Sequence, residues 1–306
     1  MIIGLFPGQG SQTPGFLSPW LELEGARERM AAYSDAAQVD LIAAGTDADA
    51  DEIRDTKIAQ PLIVAAALLS WHALAERTDA VIGGVAGHSV GELAAVAASG
   101  VLTDDDALRL VGIRGRAMAA AAAVSPTGMS AILGGDEETV LARLAELDLT
   151  PANRNGGGQI VAAGALDALT ALASDAPRGT RVVPLQVAGA FHTHHMQPAV
   201  DALARAAAAL APNDPDRTLW TNSDGSVVAH GRAALDLLVG QVAAPVRWDL
   251  DMASFAEHGV TGLIEFAPAG TLVGLAKRGL RGTPAVAVKT PDDLDAAVAL
   301  LAEENA

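Results

Sequence analysis

The five residues Gly87-His88-Ser89-Val90-Gly91 constrain the chain around them more than any other segment. They follow a run of small and β-branched residues, Ala80 to Ala86, which predicts a strand. Strong helix formers follow from Val90 to Ala98, with Gly100 where a helix C-cap belongs. A strand that turns directly into a helix needs Gly87 and Gly91 on either side of the turn, because side chains there would collide as the two elements approach. Ser89 at the tip then points into a cleft above a helix N-terminus, with the Val90 N–H available to an oxyanion.

A serine hydroxyl is a weak nucleophile at neutral pH and needs a base on a rigid mounting. Seven histidines are available. His88 is expected to point away along the turn, and His72, His230 and His258 lie on or near predicted helices as surface or core residues. The cluster Phe191-His192-Thr193-His194-His195 follows a predicted strand and a Gly-Ala pair. Its H-x-H-H spacing lacks the helical i, i+4 geometry of a zinc site, so one catalytic histidine with two bystanders is expected and no metal.

The same alternation of short apolar runs and helix formers extends along the chain. Strands are predicted at Ile2–Phe6 and 260–266, and helices at Ala59–Arg77, Asp104–Ala123 (capped by Thr103), 196–211, 233–240, 249–258 and 270–278. Between them, Met129–Leu133, Asp136–Glu146, Gln159–Ala163, Leu166–Ala173 and Arg181–Val187 read as β-α-β-α-β. The expected fold is α/β: a hydrolase-like large domain with a mostly parallel sheet over 1–124 and 190–306, and an inserted ferredoxin-like small domain over 125–189.

Composition removes other classes. The chain has 306 residues, half of them hydrophobic, enough for a large core. No cysteine is present, which excludes disulfides, a thiolate nucleophile and cysteine-ligated metals. A net charge of −17 argues against nucleic-acid binding. The N-terminus has no cationic segment, and the longest apolar stretch, Leu62–Trp71, is too short to span a bilayer, so a cytoplasmic monomer without membrane attachment is expected. Two classes remain at this point. One is an α/β-hydrolase esterase or thioesterase, whose histidine comes near the C-terminus. The other is an acyltransferase with a serine–histidine dyad, favoured by the inserted unit and the mid-chain histidine.

The residues also carry a resemblance. Phe6-Pro7-Gly8-Gln9-Gly10-Ser11-Gln12, Gln60-Pro61, Gly87-His88-Ser89-Val90-Gly91-Glu92 and Arg114-Gly115-Arg116-Ala117-Met118 are joined by Asn153-x-Asn155, Phe191-His192, Gln241-x-x-x-Pro245-Val246-x-Trp248 and Glu265-x-x-Pro268. In this order and spacing the chain resembles malonyl-CoA:acyl carrier protein transacylases and the acyltransferase domains of fatty-acid and polyketide synthases, nearly end to end. The resemblance implies Ser89 as nucleophile and His192 as general base and acid, oriented by the main-chain carbonyl of Gln241. It implies an oxyanion hole from the N–H groups of Gln9 and Val90, and Arg114 as the ligand of the malonyl carboxylate. Gln60, Met118 and Phe191 would complete the acyl pocket. Phe191 resembles the malonyl pattern, since an aromatic ring narrows the space for an α-methyl branch. Alanines in Ala267-Pro268-Ala269-Gly270 depart from the family's glycine-rich turn. No bound cofactor is implied: malonyl-CoA is the donor, and phosphopantetheine arrives on acyl carrier protein. Such carriers are acidic, so an acidic enzyme requires a local basic patch, with Arg116, Arg154, Arg178, Arg181 and Lys289 as candidates.

Overall fold

A computed structural model describes residues 1–304. In chain order the elements are β1 (Ile2–Phe6), α1 (Ala26–Ala37), α2 (Leu41–Thr46), α3 (Thr56–Ala75), β2 (Gly84–Gly87), α4 (Gly91–Ala98) and α5 (Asp104–Ala122). Then come β3 (Thr127–Gly134), α6 (Glu137–Glu146), β4 (Thr150–Gly156), β5 (Gln159–Ala165), α7 (Leu166–Ser174) and β6 (Thr180–Pro184). The remainder is α8 (Gln197–Ala208), β7 (Thr218–Leu219), α9 (Gly231–Gln241), α10 (Trp248–Glu257), β8 (Gly262–Glu265), α11 (Thr271–Gly279), β9 (Ala285–Ala287) and α12 (Leu294–Glu304).

Five strands form a parallel sheet in the order β7-β2-β1-β8-β9. Every residue of β1, β2 and β8 is buried, as expected where helices cover both faces. Alternation along β1 divides the core: Ile2 and Phe6 pack into a large cluster with α3, α4 and α5, while Ile3 and Leu5 meet Trp248, Phe255 and Leu272. α3 has the length and apolarity to cross a membrane, at a mean hydropathy of 1.6, but 83% of that window is buried inside the fold. Its apolar surface is therefore accounted for by packing.

The second sheet is antiparallel, in the order β4-β5-β3-β6. One face packs Ile132, Ile160 and Ala162 under α6 and α7 through Val140, Leu144, Leu169 and Leu172. The other face turns Met129, Ala131, Asn153, Asn155 and Val161 toward the serine turn. The edge strand β4 is tied to the larger body by Arg154 N–H to Val246 O and Val246 N–H to Ala152 O, both 2.9 Å.

Strand β4 is a correction: three strands were expected in this unit and four are present. Its sequence, TPANRNG, contains proline and asparagine, which are depleted in strands, and its pairing is broken by two register shifts. β7 and β9, at two and three residues, and the helices α1, α2 and α12 were also not anticipated. Expected and observed boundaries differ by a few residues elsewhere, most at β2, which begins at Gly84.

The glycines of the serine turn are explained by distance. A Cβ on Gly87 would stand 2.0 Å from Gly91 C, and one on Gly91 would stand 2.1 Å from Phe6 O. The turn is therefore pressed against the end of β1. Gly91→Ala should lower stability by about 3 kcal/mol, read as a lower urea midpoint at unchanged m-value; a loss below about 0.5 kcal/mol would contradict this close approach.

Candidate active site

Ser89 sits between β2 and α4 with φ 54°, a left-handed conformation that a serine adopts only when its surroundings hold it there. Both of its backbone polar groups are held by distant side chains. Its N–H donates to Asn222 Oδ1 at 2.7 Å, and its carbonyl accepts from Gln241 Nε2 at 3.1 Å. Asn222 in turn donates through Nδ2 to Gly87 O and to Asp251 Oδ2, both at 2.8 Å.

The Ser89 Oγ lies 2.7 Å from His192 Nε2. On the far side of the ring, Nδ1–H donates to the main-chain carbonyl of Gln241 at 2.8 Å. A carbonyl only accepts, so this bond fixes the proton on Nδ1 and leaves Nε2 free to take one. Burial, and next the Arg114 charge, lower the His192 imidazole to about 3 against the opposing Gln241 bond, so the ring is neutral at neutral pH. Ser89 and His192 are thus both held by one residue, Gln241, through its side chain and its carbonyl respectively.

Arg114, on α5, is only 1% exposed. Its Nη1 donates to Gln60 Oε1 at 2.7 Å, and its Nη2 donates to Gln241 Oε1 at 2.9 Å and reaches Ser89 Oγ at 3.4 Å. Its Nε–H has no partner, an uncommon state for a buried donor. Burial lowers the guanidinium to about 10, opposed by the charge of Glu92, so it remains a cation at neutral pH. Gln60 is itself fixed by Nε2 against Met118 Sδ at 3.5 Å.

The cleft over this group has a volume of about 210 Å³. It is lined by Gln9, His88, Ser89, Phe191 and His192 from the larger body, and by the exposed face of the small sheet. Leu272 and Leu275 of α11 close one side. That helix is positioned by Glu265, whose buried carboxyl accepts from the N–H groups of Gly270, Leu272 and Val273 at 2.9 Å each. Gln9 anchors through Nε2 to Arg54 O at 3.2 Å, and Val90 is the N-cap residue of α4.

The structure brings Ser89, His192, Gln9, Val90, Arg114, Gln60, Met118, Phe191 and Gln241 to one place. One expectation is corrected. His88 does not point away from the site: its ring lines the cleft, with Nε2 2.9 Å from Asn155 Oδ1 on the small sheet. The turn rotates successive residues so that both His88 and Ser89 face the gap between the sheets. His194 and His195 lie outside the cleft, their rings 4.1 Å apart. Asn222 and Asp251 were missed, since neither belongs to a spacing pattern; Glu92 was visible only as the last residue of the serine motif. Burial pushes the Glu92 carboxyl up to about 7 against hydrogen bonds from Asn222, Thr221 and Gln241 and the Arg114 charge, and burial raises Asp251 well above the usual carboxylate range.

Comparison with known proteins gives this arrangement a family. The acyl transferase domain family matches residues 5–300. A malonyl CoA-acyl carrier protein transacylase of Mycobacterium tuberculosis is 58% identical over 299 residues, 96% of this chain and 98% of that protein. One from Escherichia coli is 33% identical over 303 residues, covering 97% and 98%. The crystal structure of MCAT from Mycobacterium tuberculosis superposes with a TM-score of 0.94 at 58% identity, covering 97% of this chain and 99% of that one. A malonyl-transacylase solved in complex with a type II PKS acyl-carrier protein superposes at 0.91 with 31% identity, covering 97% and 99%. With a family match over nearly its whole length, this chain belongs to the acyl transferase domain family.

Proposed function

We propose that this enzyme transfers a malonyl group from malonyl-CoA to the phosphopantetheine thiol of acyl carrier protein through an ester on Ser89. The observation that carries this reading is the buried cation beside the nucleophile: Arg114 Nη2 lies 3.4 Å from Ser89 Oγ, held from behind by Gln60 and Gln241. An uncharged acyl chain has no use for such a group. A malonyl thioester ends in a carboxylate, which a guanidinium binds with directed, charge-assisted hydrogen bonds.

In this mechanism His192 Nε2 takes the Ser89 proton as Oγ attacks the thioester carbonyl. The N–H groups of Gln9 and Val90 receive the oxyanion, and the proton then leaves on the CoA sulfur. In the second half-reaction His192 takes the proton of the carrier thiol, which attacks the Ser89 ester and frees the hydroxyl. Arg114 fixes the acyl group through both halves, so it contributes positioning. A malonyl carboxylate also offsets the Arg114 charge that depresses His192, making the base stronger when the intended acyl group is present. Met118 and Phe191 bound the acyl pocket, and the Phe191 ring restricts room for an α-branch. The thioesterase reading is disfavoured because His192 is oriented by a carbonyl, and no acidic side chain takes that place among the described residues.

The cleft between two sheets supports a two-domain division, with a hydrolase-like body at 1–124 and 190–306 and an insert at 125–189. The strand order β6-β3-β5-β4, with α6 and α7 on one face, supports a ferredoxin-like reading of the insert. For carrier docking, Arg178, Arg181 and Lys289 remain the stronger of the five candidates. Arg154 is engaged by Glu137 and Asp249, and Arg116 by the Ala37 carbonyl. A cytoplasmic monomer remains our reading.

Intact mass spectrometry after mixing with malonyl-CoA should show a malonyl adduct that Ser89→Ala abolishes; hydrolysis to malonate with neither adduct nor transfer would favour a thioesterase. Arg114→Ala should lose on the order of a hundredfold or more in kcat/KM for malonyl-CoA while gaining relative activity on acetyl-CoA, and an unchanged preference would remove the carboxylate role. Because His192 is neutral in the free enzyme, kcat/KM for malonyl-CoA should stay level from about pH 5 to 7. An acid limb with an inflection near the ordinary histidine value would show the imidazole to be protonated there.

A further inference from the structure

The buried carboxyl of Glu92 takes no part in the steps above, yet it lies directly beneath them. It is 4% exposed, in the first turn of α4. Oε1 accepts from Asn222 N–H and Oε2 from Gln241 Nε2, both at 2.5 Å. A carboxylate only accepts, so it admits one orientation of the Gln241 amide: Nε2 toward Glu92 and Oε1 toward Arg114. The flipped amide would set its NH₂ against the guanidinium, donor against donor. Glu92 is also the anion that faces the Arg114 cation across this amide. The other groups around it are Asp251 of α10, reached through Asn222, and the His192 imidazole, which both Arg114 and His88 influence.

A carboxylate arriving at Arg114 changes the charge count, because one cation would then face two anions in a closed site. We propose that Glu92 is a positioning residue of the acyl-carboxylate site: it locks the Gln241 amide that presents Arg114, and it takes a proton from solvent when the malonyl carboxylate arrives. The inference rests on the malonyl reading given above. The proton budget of acyl transfer is untouched, since the Ser89 proton leaves on the CoA thiol while the Glu92 proton comes from water. Burial already holds Glu92 near 7, so a further rise of about one pH unit leaves it mostly neutral near neutrality.

Proton uptake can be followed with a pH indicator in weak buffer at pH 7.5 to 8, alongside intact mass. Wild-type enzyme should take up about half a proton per malonyl group bound, and none with acetyl-CoA, which releases the same thiol. Selectivity for malonyl-CoA over acetyl-CoA should fall above pH 7 by up to about tenfold in all in wild type, and be lower and pH-independent in Glu92→Gln. A malonyl adduct without proton uptake in wild type overturns this inference and leaves the malonyl reading intact; the absence of an adduct overturns both. Uptake that persists in Glu92→Gln but vanishes in Asp251→Asn would move the proton to Asp251 and equally overturn the assignment. Wild-type enzyme that takes up no proton overturns the inference even if Glu92→Gln does not fold.

Discussion

A guanidinium with 1% exposure needs acceptors and a counter-charge, and this fold bends three segments to supply them around Arg114. Gln60 comes from α3, Gln241 from the end of α9, and Glu92 from the first turn of α4, reached through the Gln241 amide. Desolvating a cation is costly unless it is paired and hydrogen-bonded, so this cluster locks the relative positions of the helices that carry it. Two of the same residues also hold Ser89. Gln241 bonds the Ser89 carbonyl and orients His192, while Glu92 bonds the backbone of Asn222, whose side chain holds the Ser89 N–H. The Arg114 charge and the Ser89 hydroxyl are therefore placed by one network.

That economy explains the strain at the site. Ser89 and His192 both have positive φ, at 54° and 60°, and neither is glycine. Each conformation is maintained because bonds from elsewhere over-determine it. Asn222 and Gln241 do this for Ser89; for His192 the Gln241 carbonyl holds the ring. The small sheet adds a second constraint from across the cleft, through the His88–Asn155 bond and the ladder between β4 and Val246.

The serine turn, the long core helix and most α/β alternation were legible because local periodicity and glycine placement carry them. What escaped detection was set by contacts between segments distant in sequence. β4 reads as a polar loop, since its pairing with β5 and Val246 outweighs the poor strand propensity of Pro151 and its asparagines. His88 was misplaced for a related reason. Its direction depends on the turn's dihedral angles and on Asn155 waiting 67 positions away, neither of which a five-residue motif encodes.

By itself the sequence determined that a serine stands on a glycine-flanked turn, that thiol and disulfide chemistry are absent, and that a family pattern runs in order along the chain. These depend on residue identity and short spacing. Only the tertiary structure decided that the imidazole meets Ser89 Oγ with its other nitrogen committed to a carbonyl, and that Arg114 is clamped by two glutamines. It alone showed that Glu92, Asn222 and Asp251 lie beneath the pair. Burial, hydrogen-bond direction and charge balance are properties of groups brought together by folding, and 149 residues separate Glu92 from the Gln241 amide it holds.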